Sequence, residues 1–371
     1  MSDTDLPQAD REDGSAHPRE TEVLIGQDVA EKEFLDSYND GRLHHAWLLT
    51  GPKGIGKATL AWRIARFLIA MPPEAADDGL FGAPEAPVSL DIAPDHPAAR
   101  RIAAGAEAQL FSLKRPYDEK TKRLKTRITV EEVRKLKGFF QMSAAGGGRR
   151  VVIVDAADEM NDQAANALLK ILEEPPRHSV LLLVSHQPWR LLPTIRSRCR
   201  ILRCQPLEED SIAQALAGAQ AGAPITGLSQ GSVGDAMRLA QQDGAAAYAT
   251  LLSLYADPAA FPRPVALKLA ESAVGRDSEA RLDLLLSLIE RFLARLARQG
   301  AGVAPVVEAA PGEAALLARL APDETSARLW AELQAELSQR ARRARAVNLD
   351  PAALILDMVL RIRDTAARVA A

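Results

Sequence analysis

The sequence predicts a parallel α/β sheet as far as residue 206 and an all-helical region after it. Short apolar runs alternate with stretches of helical periodicity in the first part, and this alternation is typical of strands joined by crossover helices. A glycine-rich segment lies between the first of these runs and the helix that follows it. Ala and Leu dominate the second half of the chain, and both lose little side-chain entropy in a helix.

Composition and charge exclude several classes of protein. The chain has 371 residues, of which 47% are hydrophobic and 26% charged, so two or three packed domains are expected. A net charge of −3 gives no overall attraction for nucleic acid. No apolar run approaches the ~18 residues of a membrane span. Cys199 and Cys204 stand without a CxxC pair or a histidine cluster, so we expect a cytoplasmic protein without structural zinc.

Residues 1–22 are predicted to be a disordered acidic tail. They contain seven acidic and two basic residues and almost no large apolar ones. Such a segment cannot bury enough apolar surface to offset the entropy lost on ordering.

Periodicity places the individual elements. The apolar runs 46–49, 110–113, 151–155 and 180–184 are predicted strands, and 128–130 is a strand fragment. Helices are expected over 28–39, from residue 57, and over 131–140 and 161–173. Residues 72–100 are rich in Pro, Ala and Asp and are expected to be irregular. Later helices are expected over 208–216, 232–241, 278–299, 325–345 and 351–369.

The strongest local signal is a P-loop. The segment that ends at Lys57 fits G-x-x-x-x-G-K, between a predicted strand and a predicted helix. Glycines let backbone N–H groups curl around phosphate, and Lys57 adds a cation. We therefore expect ATP or ADP here; a glycine turn without a ligand is the alternative. The candidate residues are Gly51, Pro52, Lys53, Gly54, Ile55, Gly56, Lys57, Ala58 and Thr59, with Asp155 at the end of a later strand.

The expected Mg²⁺ site is incomplete. Ala58 stands where a Ser or Thr hydroxyl normally holds the metal. Thr59 follows one position later, which on a helix is a rotation of ~100° away. Asp155 remains able to orient a metal-bound water. Mg²⁺ binding is therefore expected to be weak or absent.

Several segments together resemble the clamp-loader branch of the AAA+ family. The most specific are ANALLKILEEPP at residues 165–176 and IRSRCR at 195–200, in that order. Ile25-Gly26-Gln27, His45-Ala46, the P-loop and residues 128–136 add to the resemblance. It implies a P-loop AAA+ domain over residues 23–206, a small helical lid domain over 207–256, and a C-terminal all-α collar over 257–371 that serves oligomerisation.

The resemblance also assigns a role to Arg198. In the family, the arginine of the Ser-Arg-Cys motif projects toward the nucleotide of a neighbouring subunit. Arg198 is thereby expected to be an arginine finger in trans, for which a planar and permanently charged guanidinium is suited. A solvated charge among Arg196 and Arg200 is the alternative.

Two departures from the family's motor subunits, added to Ala58 at the metal position, indicate that hydrolysis is lost. Ala156 follows Asp155 where a glutamate usually polarises the attacking water. Gly234 stands where a motor subunit usually carries an arginine, and Arg238 lies one turn later.

Relatives commonly carry a four-cysteine zinc module, but residues 71–130 contain no cysteine.

These features predict a non-motor subunit of the bacterial clamp loader. The expected partners are gamma/tau motor subunits and a delta subunit in a hetero-oligomeric ring, the sliding clamp, and primed DNA. One alternative is an active motor ATPase in which Thr59 and Asp158 or Glu159 replace the missing groups. A third hypothesis is an autonomous DNA-binding protein that uses residues 114–127, which hold seven basic and two acidic residues.

Overall fold

A computed structural model describes residues 7–12, 15–71, 86–141, 148–216, 222–257, 260–275, 278–347 and 349–370. The chain forms two compact units. The first comprises residues 1–211 with 232–234, and the second comprises residues 212–231 with 235–371. The boundary between a lid and a collar at residue 256 stays a prediction.

A five-stranded parallel sheet is the centre of the first unit. Its strand order is β2-β5-β6-β1-β7, and β1, β5 and β6 are buried almost throughout. A separate antiparallel pair joins β3 to β4. The strands are β1 (Ala46–Thr50), β2 (Leu110–Lys114), β3 (Tyr117–Asp118), β4 (Arg123–Leu124), β5 (Arg150–Asp155), β6 (Ser179–Ser185) and β7 (Arg200–Arg203).

Helices connect these strands and cover the sheet. The side chain of Asn161 caps the helix after β5 by accepting from Ala164 N at 2.8 Å, which satisfies one of the free N–H groups of its first turn. The helices of this unit are α1 (Asp28–Asn39), α2 (Lys57–Ala70), α3 (Pro97–Ala103), α4 (Val130–Gln141), α5 (Asp162–Glu173) and α6 (Pro193–Arg196).

Three short elements differ from the sequence prediction. Ile128 makes only an isolated bridge to Met160, and α4 begins at Val130, so the predicted fragment 128–130 is not a strand. Part of the segment predicted to be irregular forms α3, where the His96 side chain accepts from a backbone N–H of the first turn. The edge strand β7 was not predicted, because Leu202 is its only buried residue.

The N-terminal segment lies against the first unit where it is described. Asp10 and His17 are buried, although composition predicted a disordered tail. The Asp10 carboxylate lies 2.5 Å from Lys114 Nζ and 3.2 Å from His17 Nε2. The Arg66 guanidinium also donates to the carbonyl of Arg19 at 3.0 Å. Paired charges thus supply contacts that an estimate based on apolar content does not include.

The second unit consists of helices and their connections, with no strand among its described residues. Along one face of α12, Leu282 is half-buried, and the buried residues are Leu285, Ile289, Phe292 and Leu296. The capping box at the start of α14 uses Asp323. Its helices and those at its border are α7 (Glu209–Ala215), α8 (Ala223–Ser229), α9 (Val233–Gln241), α10 (Gly244–Ser253), α11 (Arg263–Glu271), α12 (Ser278–Gly300), α13 (Glu313–Leu320), α14 (Glu324–Ala346) and α15 (Pro351–Ala370).

No helix in the part of the chain that the model describes is long and apolar enough to cross a membrane.

Candidate nucleotide site and arginine face

The glycine-rich loop joins the carboxyl end of β1 to the first turn of α2. Gly51 has φ +144°, and a Cβ there would lie 2.6 Å from the carbonyl oxygen of Cys204. Gly56 has φ +96° and is the residue directly before α2, so no side chain caps the start of this helix. The loop therefore needs glycine at both positions, and the first N–H groups of α2 are left for an anion.

Lys57 is folded back onto this loop. Its side chain is buried, with 2% of the residue exposed, and Nζ donates to the carbonyl of Gly51 at 2.7 Å and to that of Pro52. Burial lowers its pKa to about 8, although the nearby Cys204, Asp155 and Asp158 act in the opposite direction. The cation is held by weak acceptors that phosphate oxygens would replace.

Gln27 fastens the loop from outside, a role that sequence reasoning did not assign. Its amide nitrogen donates to the carbonyls of Ile55 at 2.9 Å and Gln205 at 2.8 Å. Its amide oxygen accepts from the N–H of Gln205 at 3.1 Å. The available signal was a polar residue in the Ile-Gly-Gln segment, which marked resemblance but not contact. Gln27 therefore ties the P-loop to the chain that follows β7.

Asp155 is the last residue of β5, so it lies on the side of the sheet where the parallel strands end and where the P-loop also lies. We call this side the carboxyl edge, and the opposite side, where the strands begin, the amino edge. Asp155 is buried, and burial raises its pKa to about 7, with further contributions from the charges of Asp10 and Glu159. Ala58 and Thr59 lie in the first turn of α2. Among the residues that the model describes, no group of three or more His, Cys, Asp or Glu side chains is placed to hold a metal.

The two carboxylates considered as replacements for the missing base have partners of their own. Ala156 is buried beside Asp155. Asp158 accepts from the backbone N–H of His186 at 2.9 Å, and Glu159 pairs with Arg115 at 2.6 Å. Both carboxylates therefore already have a hydrogen-bond or ion-pair partner near the end of β5.

His186 is a polar residue of this edge that the sequence reasoning missed. It directly follows β6, the neighbour of β5. Burial, together with the positive charge of Lys57, lowers its pKa to about 4, so the imidazole is neutral at physiological pH. The signal was its place after a buried strand, because the carboxyl ends of parallel strands meet at one edge.

Arg198 lies away from this edge. It precedes β7 at the amino end of that strand, and its Nη2 contacts Glu173 Oε1 at 2.9 Å. Glu173 ends α5, the helix that leads from β5 back to the amino end of β6. Since the P-loop follows the carboxyl end of β1, Arg198 and the P-loop lie at opposite edges of the sheet.

The arginines on either side of Arg198 are not equivalent to it. Arg200 lies over the ring of Trp47, 5.0 Å from its centroid, and donates to Ser37 Oγ at 3.0 Å. Arg198 contacts Glu173 and keeps 37% of its side chain exposed, compared with 42% for Arg200. Both arginines are therefore accessible to a second molecule, and they differ in their partners.

Gly234 contacts the P-loop through its backbone. Its N–H donates to the carbonyl of Gly54 at 3.0 Å, and a Cβ there would lie 3.1 Å from Gly54 Cα. Arg238 pairs with Asp235 at 2.5 Å, and Asp235 also holds Arg291. A side chain at the position of the family's arginine would therefore require the P-loop backbone to shift by a few tenths of an ångström, and Arg238 has another partner.

The basic segment 114–127 forms the β3–β4 hairpin. At its base, Lys114 pairs with Asp10 and Arg115 with Glu159. The exposed cations are Lys120, Lys122, Arg123, Lys125 and Arg127.

Comparison with known proteins supports the resemblance. Residues 26–208 match the family described as DNA polymerase III, delta subunit. The chain is 43% identical over 155 residues to a DNA polymerase III subunit delta' of Pseudomonas aeruginosa, which covers 42% of this chain and 41% of that protein. It is 27% identical over 195 residues to subunit gamma of Buchnera aphidicola, covering 53% of this chain and 47% of that protein.

The similarity extends further along another relative. The subunit delta' of Escherichia coli is 29% identical over 336 residues, which covers 89% of this chain and 92% of that protein. By contrast, the alignments span less than half of the Pseudomonas and Buchnera proteins. The parallel sheet, the P-loop and the order of the motifs agree with these matches. The chain is therefore similar, over most of its length, to DNA polymerase III subunits of the delta' type.

Proposed function

We propose that the chain is a non-motor clamp-loader subunit whose contribution to ATP hydrolysis is Arg198, supplied to a nucleotide on the neighbouring subunit. The observation that carries the proposal is that Arg198 lies where the parallel strands begin, whereas the P-loop of the same chain lies where they end. An exposed guanidinium at the amino edge cannot serve a phosphate at the carboxyl edge. It is, however, accessible to a second subunit.

The P-loop supports binding better than turnover. The uncapped start of α2 and the buried Lys57 fit a phosphate group. Ala58 offers no hydroxyl for Mg²⁺, and Asp158 and Glu159 are engaged with His186 and Arg115. We therefore propose that ATP or ADP binds at this loop without being hydrolysed there.

The partners follow from this role. Relatives of the chain are named as delta', gamma and gamma/tau subunits of one polymerase, which suggests a hetero-oligomeric complex. We propose that the chain assembles with gamma/tau motor subunits and a delta subunit through its C-terminal helical region. The complex would place the sliding clamp on primed DNA in the cytoplasm, and contact with DNA would arise mainly through the complex.

The test is ATP turnover by the assembled complex with Arg198→Ala. We expect the variant to assemble normally and to lose most of the turnover of the adjacent motor subunit. Arg42→Ala, which removes an exposed arginine paired with Asp40, is the control. Unchanged turnover with Arg198→Ala would demote Arg198 to a surface charge.

The competing function is an active motor. It predicts ATP hydrolysis by the isolated chain that disappears with Lys57→Ala. That result would overturn the non-motor proposal whatever Arg198 contributes in the complex.

A further inference from the structure

Glu173 contacts Arg198 at the surface of the first unit. Glu173 Oε1 lies 2.9 Å from Arg198 Nη2, and Nη1 donates to the carbonyl of Thr194 at 3.0 Å. Both terminal nitrogens of the guanidinium are thus directed at acceptors of the same chain. The two side chains remain 37% and 44% exposed, so another molecule can reach the pair.

Glu173 occupies a place that does not suit an acidic residue by itself. It is the last residue of α5, where the carbonyl end of the helix dipole disfavours negative charge. Arg198 compensates this charge. Glu174 caps the same helix end and is exposed, but no ion pair of Glu174 is found among the described residues. The neighbouring acids therefore share charge and helix environment but differ in their contact with Arg198.

The pair changes what Arg198 offers to a phosphate. A carboxylate in contact with the guanidinium cancels much of its field and repels an approaching anion. An arginine finger acts by stabilising the charge that develops on the phosphoryl group, and it does so fully only when its own charge is not already neutralised. Glu173 and a phosphate group are therefore competitors for Arg198.

We infer that Glu173 is a positioning residue that holds Arg198 retracted, and that the charge developing on the neighbouring subunit's phosphoryl group in the transition state must displace Glu173 for Arg198 to act. This inference rests on the proposed function, because it requires Arg198 to be the finger. The restraint is weak because the ion pair is exposed to solvent. Such a pair biases the arginine about two- to fivefold toward the retracted arrangement.

The experiment is steady-state ATP turnover by the assembled complex with Glu173→Gln, compared with Glu174→Gln. Both changes remove one negative charge from the end of α5, so they alter the helix-dipole interaction alike. We expect Glu173→Gln to raise turnover at saturating ATP about two- to fivefold with KM unchanged, because the finger acts in the transition state. Glu174→Gln should leave both parameters unchanged. The increase should shrink as ionic strength rises, since salt screens the exposed pair.

A second background separates restraint from a structural role. In complexes that carry Arg198→Ala, adding Glu173→Gln should produce no increase, because the arginine it releases is gone. Turnover that is unchanged or lowered by Glu173→Gln, while Arg198→Ala alone abolishes activity, would overturn the restraint and leave the proposed function standing. If Arg198→Ala alone has no effect, the proposed function itself is wrong.

Discussion

The two edges of the sheet hold their charges in opposite ways. At the carboxyl edge, Lys57 and Asp155 are buried, and Lys57 donates to carbonyls of its own loop. At the amino edge, Arg198 and Glu173 form an exposed pair. Burial lowers the pKa of Lys57 and raises the pKa of Asp155, which favours the neutral form of each group. An exposed arginine, by contrast, stays charged. The carboxyl edge thus holds its charged groups within this chain, whereas the amino edge presents a charged group that another subunit can reach.

The largest expected effect separates the two edges directly. In the assembled complex, Arg198→Ala should lower ATP turnover by ~10³, the loss typical of a missing arginine finger. Lys57→Ala should leave turnover of the complex nearly unchanged, because hydrolysis occurs on another subunit. Turnover at saturating ATP measures both, with assembly checked by size-exclusion chromatography. A larger loss with Lys57→Ala than with Arg198→Ala would reverse the comparison.

The second expected effect concerns the pKa of Asp155. Its pKa is raised from 3.8 to about 7, so the folded state binds a proton more tightly than the unfolded state does. The associated stability is fully present below pH 3.8 and is lost as pH rises through about 7. Asp155→Asn should therefore raise the free energy of unfolding at pH 8, on the order of 3 kcal/mol, and have little effect near pH 4. Denaturant titrations at the two pH values measure this; equal effects at both would contradict the raised pKa.

The sequence was most informative where burial is repeated. Buried strands such as β5 produce continuous apolar runs, and the glycine-rich segment is contiguous, so the strands and the place of this segment between β1 and α2 were predicted correctly. Nucleotide binding by the loop stays a prediction. Gln27 and His186 were missed because each depends on a contact with a distant part of the chain, which leaves no local period. The same reason applies to Asp10, whose buried partners His17 and Lys114 cannot be deduced from the composition of an acidic segment.

The separation of the two edges also could not be obtained from motifs alone. ANALLKILEEPP and IRSRCR indicated family and gave Arg198 a role, but they contain no information about which side chain faces which. The contact between Glu173 and Arg198 links the two motifs in space. A resemblance transfers the role of a residue, whereas the restraint on that residue depends on geometry.

A third expected effect tests the shape of the P-loop. Gly51→Ala places a methyl group 2.6 Å from the carbonyl oxygen of Cys204, at a φ of +144°. We expect a loss of about 2 to 3 kcal/mol in the free energy of unfolding. Gly41 also has a positive φ of +68°, but nothing lies within 4 Å of its Cβ position. Gly41→Ala should therefore be milder, and comparable losses in denaturant titrations would exclude the close approach as the cause.

A fourth expected effect concerns the N-terminal segment. Burial acts to raise the pKa of Asp10, but contacts with His17 and Lys114 outweigh it and lower the pKa from 3.8 to about 2. The resulting stability is present above pH 3.8 and is lost as pH falls through about 2. Asp10→Asn should lower the free energy of unfolding by ~2 kcal/mol at pH 7. Asp5, outside the described residues, provides a charge-matched control, and an equal loss with Asp5→Asn would argue against a specific pair.

The smallest expected effect concerns phosphate binding by Lys57 at the carboxyl edge. A phosphate group requires the protonated amine, and the pKa of Lys57 in the free protein is lowered to about 8. Nucleotide affinity of the isolated chain should therefore be nearly constant below this pH and fall about tenfold for each further pH unit. Isothermal titration with ADP measures the profile. Lys57→Arg, whose guanidinium does not titrate in this range, should bind more weakly but with no such decline above pH 8. A wild-type affinity that is independent of pH across this range would mean that Lys57 does not hold the phosphate, whereas the absence of measurable ADP binding would make the loop a glycine turn without a ligand.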